Sequence, residues 1–251
     1  MKKGMILILM VLMTGVFFGA TAQEILDEVA GNYEHLNDVK ATISLSQKND
    51  SGTQSGEFVF YIYKKDENMI YSIIRFLKPK EKKNITLLSK GFGETYMYMP
   101  ALRSVKKMQA SSEDEKFADS DFTYGELSLL YKISDVAKRA TIVKQDSLVY
   151  VIEIKNDDRK LSYSAMRISI TKDKMLPDQV TFLNWEDQEA KVIQISEYNE
   201  VNGKTVPWVI TAIDNNTNGK TTISFEEIET DLGMDDSFFS PKNISRPKLK
   251  F

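Results

Sequence analysis

The chain contains no cysteine and a single histidine, His35, among its 251 residues. Without cysteine there is no disulfide scaffold, no thiolate-bound zinc or iron–sulfur centre and no thiol nucleophile. An acyl-anchored bacterial lipoprotein, which needs a cysteine just after its signal, is excluded as well. One histidine rules out a His-rich metal site, and any catalytic triad would have to use His35. Glycine is also sparse where chemistry would need it: neither the dinucleotide-binding nor the P-loop pattern occurs. The acidic stretch Asp114–Asp121 lacks the ligand order and the glycine of an EF-hand calcium loop. No basic excess exists either, with 33 Lys and Arg against 36 Asp and Glu, so a nucleic-acid partner is not expected.

The one long apolar run, Met5 to Phe18, is interrupted only by Thr14 and Gly15, follows Lys2 and Lys3, and leads into Ala20-Thr21-Ala22. It is shorter than the ~20 residues that span a bilayer, and the small-residue ending marks a secretory signal cleaved before Gln23. The expectation is a signal over residues 1–22 and one mature domain over 23–251, exported, soluble and not lipid-anchored. Cleavage would take two lysines with it and leave the mature chain more acidic.

Ile25, Leu26, Val29, Tyr33 and Leu36 carry the spacing of an amphipathic helix over 23–36, with Glu24, Asp27 and Glu28 placed where the helix dipole favours negative charge. From Lys40 the period changes to two. Ala41–Ser46 alternates strictly, Glu57–Tyr63 is rich in β-formers, and further runs follow at 69–77, 84–89, 95–99 and 102–108. The second half repeats the rhythm at 140–143, 148–154, 165–171, 179–185, 192–198, 206–213 and 221–228, with Asn202-Gly203 and Asn218-Gly219 among the turns. About a dozen strands in an antiparallel meander are predicted. So long a sheet must twist and close, split, or curl around a filling. The N-terminal helix and a second helical stretch at 121–131, with Phe122, Leu127, Leu130 and Tyr131 on one face, are candidates to lie across it.

Several strands are apolar on both faces, as in Phe58, Phe60 and Ile62 against Val59, Tyr61 and Tyr63. A sheet with one wet face should alternate, so either both faces are covered or one lines an apolar concavity. Met97, Met99 and Met108 suit an adaptable binding surface. The basic clusters Lys78–Lys83, Arg103 with Lys106 and Lys107, and Lys242–Lys250 read as solvated edges; any role they have fits anionic lipid heads better than DNA. Acid/base candidates are Glu186 and Asp187 beside Trp185, Asp119 with Asp121, and His35 with any neighbour. None adjoins a recognisable nucleophile motif, so no enzyme is predicted, a carboxylate-based hydrolase being the alternative.

The stretch Tyr98-Met-Pro-Ala-Leu-Arg-Ser-Val-Lys-Lys-Met108, then Ser111-Ser112, then Phe117-Ala-Asp-Ser-Asp-Phe-Thr-Tyr-Gly-Glu-Leu127 resembles the outer-membrane lipoprotein-sorting protein family, relatives of the periplasmic carrier LolA. Members commonly show an aromatic, P-A-L/x-[KR]-x-V-[KR]-[KR], serines, then F-M-G-S-D-F-[ST]-Y-E-D-L. Here Ala118-Asp119 stands for Met-Gly and Gly125-Glu126 for Glu-Asp, which removes a glycine from a turn and weakens a helix start. Asp235-Asp-Ser-Phe-Phe-Ser-Pro241 resembles the family's closing segment.

The resemblance implies a mainly β (α+β) half-barrel of about eleven antiparallel strands, covered by helices and enclosing an apolar cavity. It implies a periplasmic, monomeric, non-enzymatic carrier without cofactor or metal. The cargo would be the acyl chains of lipoproteins or another lipid, moving from an inner-membrane transporter to an outer-membrane acceptor. A lipid-sensing, regulatory or transporter-accessory module on the same fold is the alternative. Expected cavity residues are Phe58, Phe60, Ile62, Ile73, Met97 and Met99, with Phe122 and Leu127 on a lid. Arg103, Lys106 and Lys107 are expected at the rim, holding head groups or pairing with Glu113–Glu115. Ser120 or Asp121 is expected to cap the lid helix, with Phe122 and Tyr124 pinning it to the sheet.

Overall fold

The computed structural model describes residues 20–32, 37–50, 52–66, 69–91, 94–108, 115–123, 125–127, 137–159 and 162–250. A short helix α1 (Ala22–Gly31) is followed by β1 (Asp38–Asn49), β2 (Gly52–Asp66), β3 (Met69–Lys78), β4 (Thr86–Lys90), β5 (Glu94–Met99), β6 (Ser104–Met108) and β7 (Ala140–Gln145). Then come β8 (Val149–Lys155), β9 (Ala165–Thr171), β10 (Leu176–Leu183), β11 (Glu189–Val201), β12 (Lys204–Asp214), β13 (Gly219–Thr230) and one helical turn, α2 (Pro241–Ile244). All thirteen strands form one antiparallel sheet in the order β6-β5-β4-β3-β2-β1-β13-β12-β11-β10-β9-β8-β7. The sheet is curved and unclosed, and its thirteen strands exceed the eleven expected.

Curvature follows from the packing. Phe58 and Phe76 on β2 and β3 share one hydrophobic cluster with Ile152 and Ile168 on β8 and β9, although many strands separate them along the sheet. The cluster also holds Ile25, Leu26 and Val29 of α1, so this is the inner face. α1 begins with a capping box: Thr21 Oγ1 accepts from the Glu24 amide at 3.2 Å, and the Glu24 carboxylate accepts from the Thr21 amide at 2.7 Å. These bonds hold the Glu24 carboxyl below its ordinary range. Residues 1–19 of the expected signal over 1–22, His35 and the expected helix end at Tyr33 and Leu36 lie outside the described residues. A cut before Gln23 would remove Thr21, the cap itself.

The outer face of β2–β5 is covered as well, by the chain's last segment. Phe238, Phe239, Met234 and Ile244 pack with Tyr71, Ile73 and Leu88 in a second cluster. Asp38 fixes the start of this strap, accepting from the amides of Leu232 (2.6 Å), Gly233 (2.9 Å) and Met234 (3.1 Å). Arg75, buried beneath α2, donates to the carbonyls of Ile244 (2.9 Å) and Pro247 (3.2 Å) and to Thr86 Oγ1 (2.9 Å). Burial pushes the Arg75 guanidinium pKa down. The apolar character of both faces of β2 and β3 thus has two causes: an inner core and an outer strap.

Candidate functional site

Strand register assigns each side chain to a face, because directly opposed residues in an antiparallel pair lie on the same side. One inner-face row runs across seven strands as Lys106, Met97, Leu87, Ile74, Phe60, Ala41 and Ile228, each register partner of the next. Ile74 and Ala41 are buried, whereas Met97, Leu87, Phe60 and Ile228 are only half-buried and Lys106 is exposed. A neighbouring row through Phe76, Phe58, Ile43 and Phe225 is packed more deeply, with Phe58 2% exposed. On the other side the row is more polar, Met108 standing opposite Thr95, Thr95 opposite Ser89, Ser89 opposite Ser72, and Ser72 opposite Ile62. On the inner face of β4–β6, Leu87, Met97 and Met99 are therefore only partly covered among the described residues.

The expected cavity residues divide accordingly. Phe58, Phe60, Ile62, Met97 and Met99 share the inner face by register. Phe122 and Leu127 approach the same core from the 116–127 segment. Ile73 does not belong with them. It is fully buried on the outer face beneath the strap, because Ile73 and Ile74 are adjacent in an extended strand and only one can face inward. Phe58 and Phe122 are packed solid, whereas Phe60, Met97 and Met99 keep some exposed surface. The rim residues divide too. Lys106 faces inward opposite Met97, while Lys107 faces outward, 3.6 Å from Glu94 and over the Tyr96 ring. Arg103 sits in the left-handed turn after β5, exposed.

The 116–127 segment docks on the inner side. Phe117 packs edge-on against Phe58 with ring centroids 5.5 Å apart, and the Phe117 amide donates to the Phe122 carbonyl at 2.8 Å. Ala118 and Asp119 both hold positive φ, 52° and 63°, so the turn is kept without the family's glycine. Asp121 is not a helix cap. Its carboxylate accepts from Thr221 Oγ1 at 2.7 Å, and a Cβ at Gly219 would collide with it. Ser120 is not the cap either; its Oγ accepts from the Phe122 amide at 3.1 Å. Thr123 caps the helical residues 125–127 in a reciprocal box with Glu126. Tyr124 and most of the expected 121–131 helix lie outside the described residues.

Glu126 makes a second, deeper contact that the sequence reading missed. Lys191 Nζ donates to its carboxylate at 2.8 Å with both side chains about 95% buried, and the Tyr163 hydroxyl joins at 3.2 Å. A signal was available: Lys191 has the parity of Ile193, so it had to point into the core.

Trp185, Glu186 and Asp187 form a surface turn, closed by the Asn184 side chain accepting from the amides of Glu186 and Gln188. Two hollows of about 260 and 250 Å³ lie away from the inner row. The first lies among Ser44, Ser46, Ser55, Glu57, Lys78 and Ser224, and the second among Gln47, Asp50, Lys116, Asp121 and Gly219. Among the described residues no cluster of His, Asp and Glu suits a metal.

A family model whose description reads "-like: Uncharacterized protein" matches residues 69–246. The chain belongs to that family. No curated protein sequence matches it. Three solved structures share its fold. A lipoprotein-sorting protein domain from Vibrio parahaemolyticus, described as putative and outer-membrane, is 19% identical at TM-score 0.77, covering 89% of this chain and 98% of that one. A DUF1329 family protein from Desulfovibrio piger is 17% identical at 0.74, covering 87% and 95%. A LolA superfamily protein from Nitrosomonas europaea is 15% identical at 0.70, covering 88% and 98%. The family thus carries the architecture of the lipoprotein-sorting proteins.

Proposed function

We propose that this protein is an exported carrier that shields the acyl chains of a lipoprotein or another lipid in transit between membranes. The observation that carries the reading is the half-buried inner row Phe60–Leu87–Met97, with Met99 beside it. The reading is supported by the fold shared with lipoprotein-sorting proteins. Exposing a chain to water costs about 0.8 kcal/mol per CH₂, so an apolar strip that replaces water along the chain is what transit requires. Part of the inner face is spoken for, since over β8–β10 Ile152, Ile168 and Val180 are buried in the core cluster that also holds α1. The cargo strip is the β4–β6 edge, with the half-buried Phe60 at its inner end. Export follows from the N-terminal signal, and the route would run from an inner-membrane donor to an outer-membrane acceptor in the periplasm. No acid/base pair is assigned, and the role is binding without chemistry.

The test is retention of a radiolabelled palmitoyl lipid by the purified protein. Met97→Asp places a carboxylate in the middle of the strip at a half-exposed position, and is expected to abolish retention while leaving the far-ultraviolet circular dichroism and the thermal transition in place. Retention equal to that of the unmodified protein would reject the strip as the cargo site.

A further inference from the structure

The apolar row does not end in solvent; it ends on a cation. Lys106 stands directly opposite Met97 on β6, the last strand of the sheet, and on the inner face. Of its expected acidic partners, Glu113 and Asp114 lie outside the described residues and Glu115 makes no ion pair with it. No carboxylate occupies an inner-face register position on β3–β6, where the positions include Ile74, Leu87, Ser89, Thr95, Met97 and Ser104. Among the described residues Lys106 forms no ion pair, whereas its sequence neighbour Lys107 is turned outward to Glu94. A solvated lysine is common, but this one closes a strip of half-buried methionine and phenylalanine.

The dimensions agree with one chain of a membrane lipid. Neighbouring strands lie about 4.8 Å apart, so Met97 to Phe60 spans about 14 Å across β5 to β2. One leaflet of a bilayer's hydrocarbon core is about 15 Å thick. A chain laid over the half-buried Phe60, Leu87 and Met97 brings its head to Lys106.

Resting on the carrier reading, we propose that the strip takes an anionic amphiphile, its phosphate or carboxylate head held by Lys106 and its chain on the row from Met97 to Phe60. A charge-assisted bond to that head sits beside apolar side chains, where it is stronger than in open water. The assignment separates cargo classes, because a fully acylated lipoprotein cysteine is uncharged and gains nothing from Lys106.

The experiment compares three probes of equal chain length below their micelle concentrations: palmitate, palmitoyl-lysophosphatidylglycerol and neutral monopalmitoylglycerol. Binding is measured by calorimetry to the unmodified protein, Lys106→Glu and Lys107→Glu. Both anionic probes are expected to bind about tenfold more tightly than the neutral one, and Lys106→Glu is expected to erase that margin. Lys107→Glu, on the other face, is expected to keep it. The tighter of the two anionic probes identifies the head as phosphate or carboxylate. Equal binding of neutral and anionic probes, or equal losses from the two lysine variants, overturns the head-group assignment and leaves the carrier reading standing. Failure of all three probes to bind overturns both.

Discussion

The two ends of the inner face are built from the same kind of strand and finished differently. Over β8–β10 the register partners are Ile152, Ile168 and Val180, which the core cluster buries to 0–7% exposure. Over β4–β6 the partners are Leu87, Met97 and Lys106, half-buried to exposed. β-branched side chains with few rotamers fill the sealed end, and an unbranched, polarizable methionine stands at the open one. The contrast shows that an apolar face in a curled sheet does not by itself make a cavity. Among the described residues, what differs is how much of the core is packed against it.

The largest effect should come from exchanging a chemical insult between the two ends. Ile168→Asp, at 1% exposure in the sealed end, buries an unpaired carboxylate and is expected to abolish the cooperative thermal transition. Met97→Asp, the same insult at the open end, should leave that transition in place. Equal loss of folding in both would erase the distinction. Next, Lys191→Met strands Glu126 as a buried charge and is expected to cost about 3–5 kcal/mol in chemical denaturation. Lys191→Met combined with Glu126→Gln should recover part of that loss, while a surface-like cost under 1 kcal/mol would show that the segment does not stay docked. The smallest effect is a gain. Ala118→Gly relieves a left-handed alanine in the docked turn and should raise stability by about 0.5–1 kcal/mol.

The strand rhythm was legible because turns carry Asn-Gly and Asp pairs and the runs between them alternate. The thirteen strands match those runs closely; β8, for example, was expected at 148–154 and forms at Val149–Lys155. The choice of face was less legible. Phe60 and Met97 share a face only because four strands keep register across Ile74 and Leu87, and that register is set by tertiary pairing that no single run contains. Ile73 went to the wrong side for the same reason, since Ile73-Ile74 satisfies two covered faces equally. The outer cover was the larger omission. Phe238 and Phe239 were recognised as a closing segment, but nothing local says that they dock behind Ile73 and Tyr71. Asp121 and Ser120 were read as caps by residue type, and Thr123 took that role because Glu126 lies three residues on.

The sheet's two outermost strands, β6 and β7, share no hydrogen-bond ladder among the described residues. A closed barrel has its girth set by strand number and stagger and can widen only by breaking pairs. A scroll with a free seam can uncoil slightly at every strand pair and swell, with all twelve ladders intact. Under the carrier reading proposed above, capacity is a matter of curl: a thicker guest would be admitted at the expense of twist, and Lys106 on β6 would move outward with the seam.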